Sequence, residues 1–522
     1  MQQLSGLHEL IHAVPGWRTN EYTSFAESRE PVELCRGTYE FTVAANYCRG
    51  KELPKEPAYI FVMETSQRIM QREVLPLLCK NMREVLKFLP RDIVNGKAAR
   101  RSVMKVGFIT YDDTVSYYKL GGDEPIKCSE CDRDADEMLC NITEELVDGG
   151  CSVDLYMFTE NYVDLATIGQ LAKLTGGQCY KYTYFRAQKD GFRFLNDLKD
   201  NVGRNIVFDA VMRVRTSYEL RPGTFFGNLS LTEDSDKVSF ATLDSSKTIA
   251  VELHHAVKKI ERDVVYVQVA CLFTSCGGQR RLRIFNLTLS VAKEMNEVYN
   301  NCDLDTMMNY LSKESIVRIL ETSPTKNCFQ GTSPVEEIVL PETLKLMPLY
   351  ICGLIKSPAL SGAYDMGCDE RSYQIYLLAS MSTENSVISG LPTALRASYE
   401  ELKKSEAYLL ENAEIIFLWI GVNIQSAWLL NVFGVKDLNQ VKSTISELPE
   451  RDNSTSQRIR KWIGSIRTQR GKHMELVLVL GSKGKTEVTL RKLLIEDKSA
   501  RQEFGYHEFA HHINNNIRAM LM

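Results

Sequence analysis

Near residue 206 the hydrophobic pattern of this chain changes character, and that change limits the fold more than any other feature. Before it, apolar runs of strand length alternate with helical stretches: 58–63 (AYIFVM), a helical pattern across 68–88, 105–111 (KVGFITY), 152–158 (SVDLYMF), and a helix over 168–175 ending at Gly176-Gly177. Strands that are apolar on both sides need cover on both sheet faces, so roughly 56–205 reads as a doubly wound α/β unit. After it, from Val207 to Leu289, short strands are separated by turn chemistry (RPGT, SDK, DSSK, SCGGQ). That spacing predicts an antiparallel sandwich or barrel.

A strand at 39–43 precedes the first unit, and 51–57 (KELPKEP) reads as a short linker. From Lys293 to about Ser382 the signal is helical with loops, and strands return at 408–422 (YLLENAEIIFLWIGV) and 475–480 (ELVLVL). Between them 454–470 sets Ile459, Trp462, Ile463 and Ile466 on one helical face behind Asn, Ser and Thr capping residues. This second, smaller α/β unit is followed by a last helix at 508–521. With 522 residues, the chain is too long for one core.

The remaining bulk features bound the function. The chain is 44% hydrophobic and 25% charged with a net charge of −4, as in ordinary globular proteins. No apolar run reaches the ~18 residues that span a bilayer. The first residues, which include His8 and His12, are amphipathic and lack the plan of a secretory signal. The 14 cysteines are therefore expected to be reduced, the sequons at Asn141, Asn228, Asn286 and Asn453 unused, and the protein cytosolic.

Against this balanced charge, two stretches gather arginine on strand-like sequence. FDAVMRVRTS (208–217) carries Arg213 and Arg215, and TSCGGQRRLRIFNL (274–287) carries Arg280, Arg281 and Arg283. Such a cluster predicts a local basic surface on a sheet and an anionic partner; the alternative is a solvated face paired with carboxylates. Nucleic acid is disfavoured, because no aromatic stacking surface accompanies the charge and the sequence pI is near 6.2.

Four motifs invite catalytic or metal readings that their surroundings do not sustain. His507-Glu508-Phe509-Ala510-His511 is a literal H-E-x-x-H, the helical zinc pair with its general base, but Asn514 stands where the extended motif requires glycine. Gly481–Thr486 (GSKGKT) follows an apolar strand, yet Val479 occupies the position of the first glycine of a phosphate loop; a hairpin turn leading to another strand is expected. Cys128 and Cys131, with Cys140 and Cys151 beyond, lack a second C-x-x-C. Glu64-Thr65-Ser66-Gln67-Arg68 sits where a von Willebrand A domain holds magnesium, but Arg68 replaces a ligand hydroxyl.

Read in order, the chain resembles the cargo-adaptor subunit of the COPII inner coat, the Sec-twenty-four type, with the C/D-type paralogues nearest. VELCRGTYEFTVAANYC (32–48), EPAYIFVMETS (56–66), KVGFITY, CSVDLYMFTENYVDLATIGQLAKLTGGQCYKY (151–182), FDAVMRVRTS, FFGN (225–228), TSCGGQRRLRIFNL, YLLENAEIIFLWIGV and the terminal IEDKS…YHEF (495–509) carry the likeness. It implies an α/β plus all-β plus α multidomain protein. Its parts are an N-terminal segment (1–31), strands joining the barrel (32–55), a von Willebrand A-like trunk (56–205), a β-sandwich or barrel (206–292), a helical domain (293–397), a gelsolin-like domain (398–497) and a C-terminal helix returning to the helical domain (498–522).

The resemblance further implies a non-enzymatic coat subunit that selects cargo and SNARE proteins for transport from the endoplasmic reticulum to the Golgi. It would pair with a sister inner-coat subunit, follow the coat's small GTPase indirectly, and lie peripherally on acidic membrane at exit sites and on vesicles. Arg280, Arg281 and Arg283 are the expected membrane-facing residues; no cargo-contact residue is assigned. The alternative is a zinc-dependent hydrolase built on HEFAH.

Two departures from the family pattern stand out. Its zinc finger and long N-terminal extension are not found in this sequence, so no zinc or other cofactor is expected. Only about thirty residues lie between Leu120 and Cys151, where the trunk sheet needs several further elements. A sheet shortened there is expected to leave open edges and bare apolar faces, with a helix at 134–147 set poorly against KVGFITY.

Overall fold

The computed structural model describes residues 36–48, 51–54, 56–94, 97–118, 126–128, 136–231, 237–321, 340–361, 366–381, 395–412, 414–442, 445, 447–470, 473–481, 484–498 and 504–521. The first element among the described residues is β1 (Thr38–Thr42), which pairs at the edge of the later sandwich. The trunk begins at β2 (Ala58–Glu64), followed by α1 (Gln67–Gln71) and α2 (Val74–Val85). The sequence pattern predicts one helix across 68–88, but Glu73 adopts left-handed backbone (φ 58°) and breaks it. The break lets α2 set Val74, Leu78 and Val85 into the core.

A hairpin of β3 (Ile93–Val94) and β4 (Lys97–Ala98) leads to β5 (Lys105–Tyr111), β6 (Val115–Tyr118) and β7 (Ile126–Cys128). After α3 (Asp136–Asp148) come β8 (Leu155–Thr159), α4 (Leu165–Thr175), β9 (Cys179–Thr183) and α5 (Ala187–Gly203). These strands form two sheets, β2-β5-β6-β7 and β8-β9. One helical layer serves both: Tyr59, Phe61 and Met63 of the first and Tyr156, Phe158, Tyr180 and Tyr182 of the second share a core with α2 and α5. Arg72 ties that layer to β8 by donating to the Phe158 carbonyl (2.5 Å) and pairing with Glu160 (3.0 Å).

Among the described residues, the other face of the larger sheet carries exposed apolar side chains. Ile60 and Val62 alternate with the buried side of β2 and are 57% and 59% exposed. Their neighbours in register, Gly107 and Ile109, continue to Tyr117, which is also exposed. A parallel pair in an α/β unit is ordinarily covered on both faces; among the described residues only one face of this pair is covered.

The sandwich follows. β10 (Ile206–Thr216), β11 (Leu220–Phe226), β12 (Ser230–Leu231), β13 (Lys237–Asp244), β14 (Ala250–His255), β15 (Val264–Thr274) and β16 (Arg280–Ser290) are all antiparallel. The main sheet runs β1-β16-β15-β10-β13-β12, and β11-β14 covers one face. Alternation buries Ala210, Met212 and Val214 against Phe225, Val238, Phe240, Cys271 and Phe273. α3 packs on α4 and on β13, so it leans on the sandwich; the expected seat against KVGFITY is replaced by this one, because β6 and β7 extend the sheet beyond β5.

The helical domain contributes α6 (Met295–Asn300), α7 (Leu304–Glu321), α8 (Met347–Lys356) and α9 (Cys368–Ala379). The gelsolin-like unit is β17 (Ala407–Glu411), β18 (Ile415–Ile420), α10 (Ser426–Val432), α11 (Ser454–Arg470), β19 (Glu475–Leu480) and α12 (Lys485–Leu493). Its central strand IIFLWI is apolar throughout because both faces are covered: Ile459, Ile463 and Ile466 of α11 lie on one side, Leu490 and Leu494 on the other. The segment after Gly481 is thus a helix where a strand is expected. Glu487, Leu490 and Leu494 are buried at helical spacing, which outweighs the β-branched Val488 and Thr489. Finally α13 (Tyr506–Leu521) packs on α8, where Lys356 donates to the carbonyls of Ile495 (2.7 Å) and Asp497 (3.2 Å).

Two outcomes follow from this packing. Replacing Ile60 and Val62 together with lysine is expected to change stability by less than about 1 kcal/mol in urea unfolding, since both are exposed, and to reduce self-association in light scattering. On a covered face the same pair costs several kcal/mol. The second outcome concerns Lys313 of α7, which is buried and donates to the Met381 carbonyl (2.7 Å), an acceptor shared with Asn309 (2.7 Å). Burial lowers its pKa from 10.5 to about 8. The unfolded chain therefore binds more protons between these values, so the penalty is complete below about pH 8 and fades as pH rises to 10.5. Lys313→Met is expected to stabilise the protein by about 2 kcal/mol at pH 7, after loss of one hydrogen bond. That gain should shrink by pH 10 in thermal unfolding.

Candidate functional site

At the end of the sandwich, strand alternation and a bulge set the arginines of β16. Asp209 of β10 has φ 44°, and the β10–β15 register shifts between Phe208 and Val211. This bulge aims both the carbonyl and carboxylate of Asp209 at Arg280, whose Nη1 lies 2.6 Å and 3.1 Å from them and 3.0 Å from Thr274 Oγ1. Arg280 is only 3% exposed. Arg281 pairs with Glu40 of β1 and Asp92 beside β3, each at 3.2 Å. Arg283 donates from Nε to Glu40 (2.8 Å) and lies over the Phe273 ring at 5.7 Å, with 47% of its side chain exposed.

The cluster is thus largely neutralised by three carboxylates that the sequence pattern does not associate with it. Arg280, expected to face a membrane, is an internal strut: an enclosed, ion-paired guanidinium offers no charge to a surface. Arg281 is half-buried between two acids, and Arg283 is the exposed member. Arg213 is exposed and Arg215 half-buried on β10, two strands away from β16 in the sheet. Glu40 could be found only through the β1–β16 register, in which Glu40 faces Arg283 across 243 residues.

The motifs with catalytic overtones resolve into structural roles. On α13, His507, Glu508 and His511 are all exposed. Glu508 accepts from the Gly505 amide (3.1 Å) and approaches Lys498 (3.3 Å); these contacts hold its carboxyl below its usual range and make it a helix-capping group. Ser66 donates to Glu64 at 2.5 Å, and Thr65 to the Tyr111 carbonyl at 3.1 Å, so the tip of β2 is closed on itself. Cys131 lies outside the described residues, and Cys151 is an exposed free thiol. Among the described residues no group of three or more His, Cys, Asp or Glu could hold a metal, and no helix is long and apolar enough to cross a membrane.

The most interconnected polar region is the junction of the domains. Arg204, at the end of α5, pairs with Asp154 (3.1 Å) and with Asp244 of the sandwich (3.4 Å). Burial opposes the charge on Asp244, yet Lys247, Arg204 and Ser246 together hold its carboxyl below the usual range. Beside it Gly176 (φ 79°) comes so close to Thr242 that a Cβ would lie 2.4 Å from the Thr242 carbonyl oxygen, so a glycine is required. The Gly177 carbonyl accepts from Tyr376 of α9 (2.9 Å) and Lys247 (3.2 Å).

Helix α9 locks the helical domain to the trunk. Asp369 accepts from the amides of Val163 (2.7 Å) and Leu165 (2.9 Å) at the start of α4, and Lys181 pairs with Glu370 at 2.6 Å. On the next side, Asp197 accepts from Tyr182 (2.7 Å) and from the His473 amide of the gelsolin-like unit (3.1 Å). Burial raises the Asp197 carboxyl above its usual range against the pull of Tyr182 and Arg193. The space between Tyr180, Arg193, Asp197, Tyr373, Glu414 and His473 has a volume near 20 Å³, enough for a water-sized guest. The arrangement joins the trunk, sandwich, helical and gelsolin-like units.

Comparison with known proteins defines the class. The Sec23/Sec24 trunk domain matches residues 54–140 and 129–202, the Sec23/Sec24 beta-sandwich domain 207–292, the Sec23/Sec24 helical domain 325–388, and a gelsolin repeat 389–461. The human protein transport protein Sec24C is 31% identical over 94% of this chain and 56% of its own length; human Sec24D is 26% identical over 94% of this chain and 60% of its own. The crystal structure of the human COPII-coat protein Sec24c superimposes with a TM-score of 0.86 at 28% identity, covering 97% of this chain and 82% of that one. The chain belongs to the Sec23/Sec24 family and is of the Sec24 type, with Sec24C and Sec24D among its near relatives.

It spans little more than half the length of these curated relatives. The alignment with Sec24C runs over 625 positions, of which this chain, at 94% of 522 residues, fills about 490. The two trunk matches overlap at 129–140, from just after β7 into the first turns of α3.

The cap that α9 supplies to α4 is directly testable. Asp369→Ala removes two charge-assisted hydrogen bonds at a helix start and is expected to cost about 2–3 kcal/mol in urea unfolding. Asp369→Asn, which keeps an acceptor oxygen, is expected to cost about half as much.

Proposed function

We propose that this chain acts as a non-enzymatic adaptor subunit of the COPII coat, selecting cargo and SNARE proteins for transport from the endoplasmic reticulum to the Golgi. The observation that carries this reading is the run of trunk, sandwich, helical and gelsolin-like units in the order and packing of the Sec24c structure. It pairs with a sister inner-coat subunit and reaches the coat's small GTPase through it. It holds short sorting signals in cytosolic tails and lies peripherally on acidic membrane at exit sites. Each contact is modest, and coat polymerisation supplies avidity. Its contact with lipid is electrostatic and weakens as ionic strength rises.

The zinc hydrolase reading has no support: His507 and His511 are exposed without a third ligand among the described residues.

Co-expression with the sister inner-coat subunit tests the adaptor reading. A stoichiometric complex is expected in size-exclusion chromatography with light scattering. A monodisperse chain that elutes separately from its sister subunit overturns the reading and leaves ancestry alone.

A further inference from the structure

The β3–β4 hairpin carries charge that the rest of the sandwich end does not neutralise. Its register pairs Ile93 with Ala98 and Val94 with Lys97, and the Ala99 amide donates to the Asp92 carbonyl at 2.8 Å. That bond closes the hairpin, and Arg91 and Arg100 flank it, with Arg101 next in the chain. Like charges brought together in this way are unfavourable unless an anion lies between them. All three arginines are exposed, and none has an ion pair or hydrogen bond among the described residues.

The nearest acid is committed elsewhere. Asp92 holds Arg281 by both carboxylate oxygens (3.2 Å) and accepts from Ser275 Oγ (3.1 Å). A Cβ on Gly277 would lie 2.2 Å from it, so the sandwich loop closes tightly over this anchor. The hairpin is therefore docked firmly on the sandwich, with its guanidinium groups turned to solvent. Val103, two residues after Arg101, is 56% exposed.

We propose that Arg91, Arg100 and Arg101 form a site for the phosphomonoester headgroup of a membrane lipid. This rests on the membrane reading above and adds a headgroup class to it. Two guanidinium forks at the mouth of one hairpin, with a third next in the chain, match a compact dianionic phosphate better than scattered single charges. The group is open and has no enclosing cavity, which suits a headgroup offered by a surface, and Val103 supplies an apolar contact at the interface level.

Vesicle co-sedimentation of the full chain tests the site, with phosphatidylcholine vesicles containing either phosphatidic acid or phosphatidylserine at matched surface charge. Wild type is expected to bind the phosphatidic acid vesicles about tenfold more tightly, as a well-formed charged hydrogen bond implies. The Arg91→Gln/Arg100→Gln/Arg101→Gln variant is expected to lose that preference and about a hundredfold in affinity, given the contribution of each basic residue near a membrane. Arg283→Gln should retain the preference, and lysine at the three positions should retain binding while losing it. Thermal unfolding should be unchanged in all variants, because the side chains are exposed.

Equal binding to both vesicle types, or a triple glutamine variant that binds like wild type, overturns the site and leaves the membrane reading standing. Absence of binding to either vesicle overturns both. Saturable binding of inorganic phosphate in calorimetry, without preference among vesicles, assigns the arginines to a soluble anion and overturns the lipid assignment.

Discussion

The pairing of Arg204 with Asp154 and Asp244 is the constraint on which the arrangement of domains depends. A buried guanidinium is costly unless its partners come with it, and removing one partner leaves a charge without compensation. Asp154 precedes β8 in the trunk and Asp244 ends β13 in the sandwich, so the charge can be satisfied only when the two units dock in one orientation. Gly176 and Gly177 permit that approach, because a side chain at either would collide with neighbouring backbone. Helix α9 then closes the third side through Tyr376, Asp369 and Glu370.

The same logic accounts for the sandwich arginines. A bulge at Asp209, the edge strand β1 with Glu40, and Asp92 beside the β3–β4 hairpin each deliver one carboxylate to β16. These pairs fasten the edge strand and the trunk hairpin to the sandwich. The surface charge passes to Arg283 and to the hairpin arginines, whose neighbouring acid is already engaged. A cluster that is conspicuous in sequence is therefore mostly internal, while three arginines flanking an unremarkable hairpin are exposed without an ion pair among the described residues.

The trunk shows what a shortened α/β unit does. Its helical layer is intact and its aromatic core is shared by both sheets, with Tyr156 stacked on Tyr180 at 4.7 Å and Phe158 on Tyr182 at 5.3 Å. The strands nevertheless fall into two separate sheets, and Ile60 and Val62 are left in solvent. Stability on one face and exposure on the other coexist, because each face is covered by different elements of the chain.

Much of this was legible from the residues alone. Apolar runs with period-two or helical spacing marked β2, β5, β8, β10, β16, β18, β19 and α11, and the order of these elements carried the family. What escaped was decided by contacts between distant segments. The helix after Gly481 formed because Leu490 and Leu494 found the bare side of β18, against local β-branched preference. Glu73 broke a helix that its neighbours would continue, and Arg280 was buried by an aspartate 71 residues away. By itself the sequence determined which elements form and which faces are apolar, since these follow from side-chain periodicity along a few turns or rungs. Only the tertiary structure decided which charges are spent within the fold and which remain for a partner, because an ion pair depends on distance in space, and spacing along the chain does not encode it.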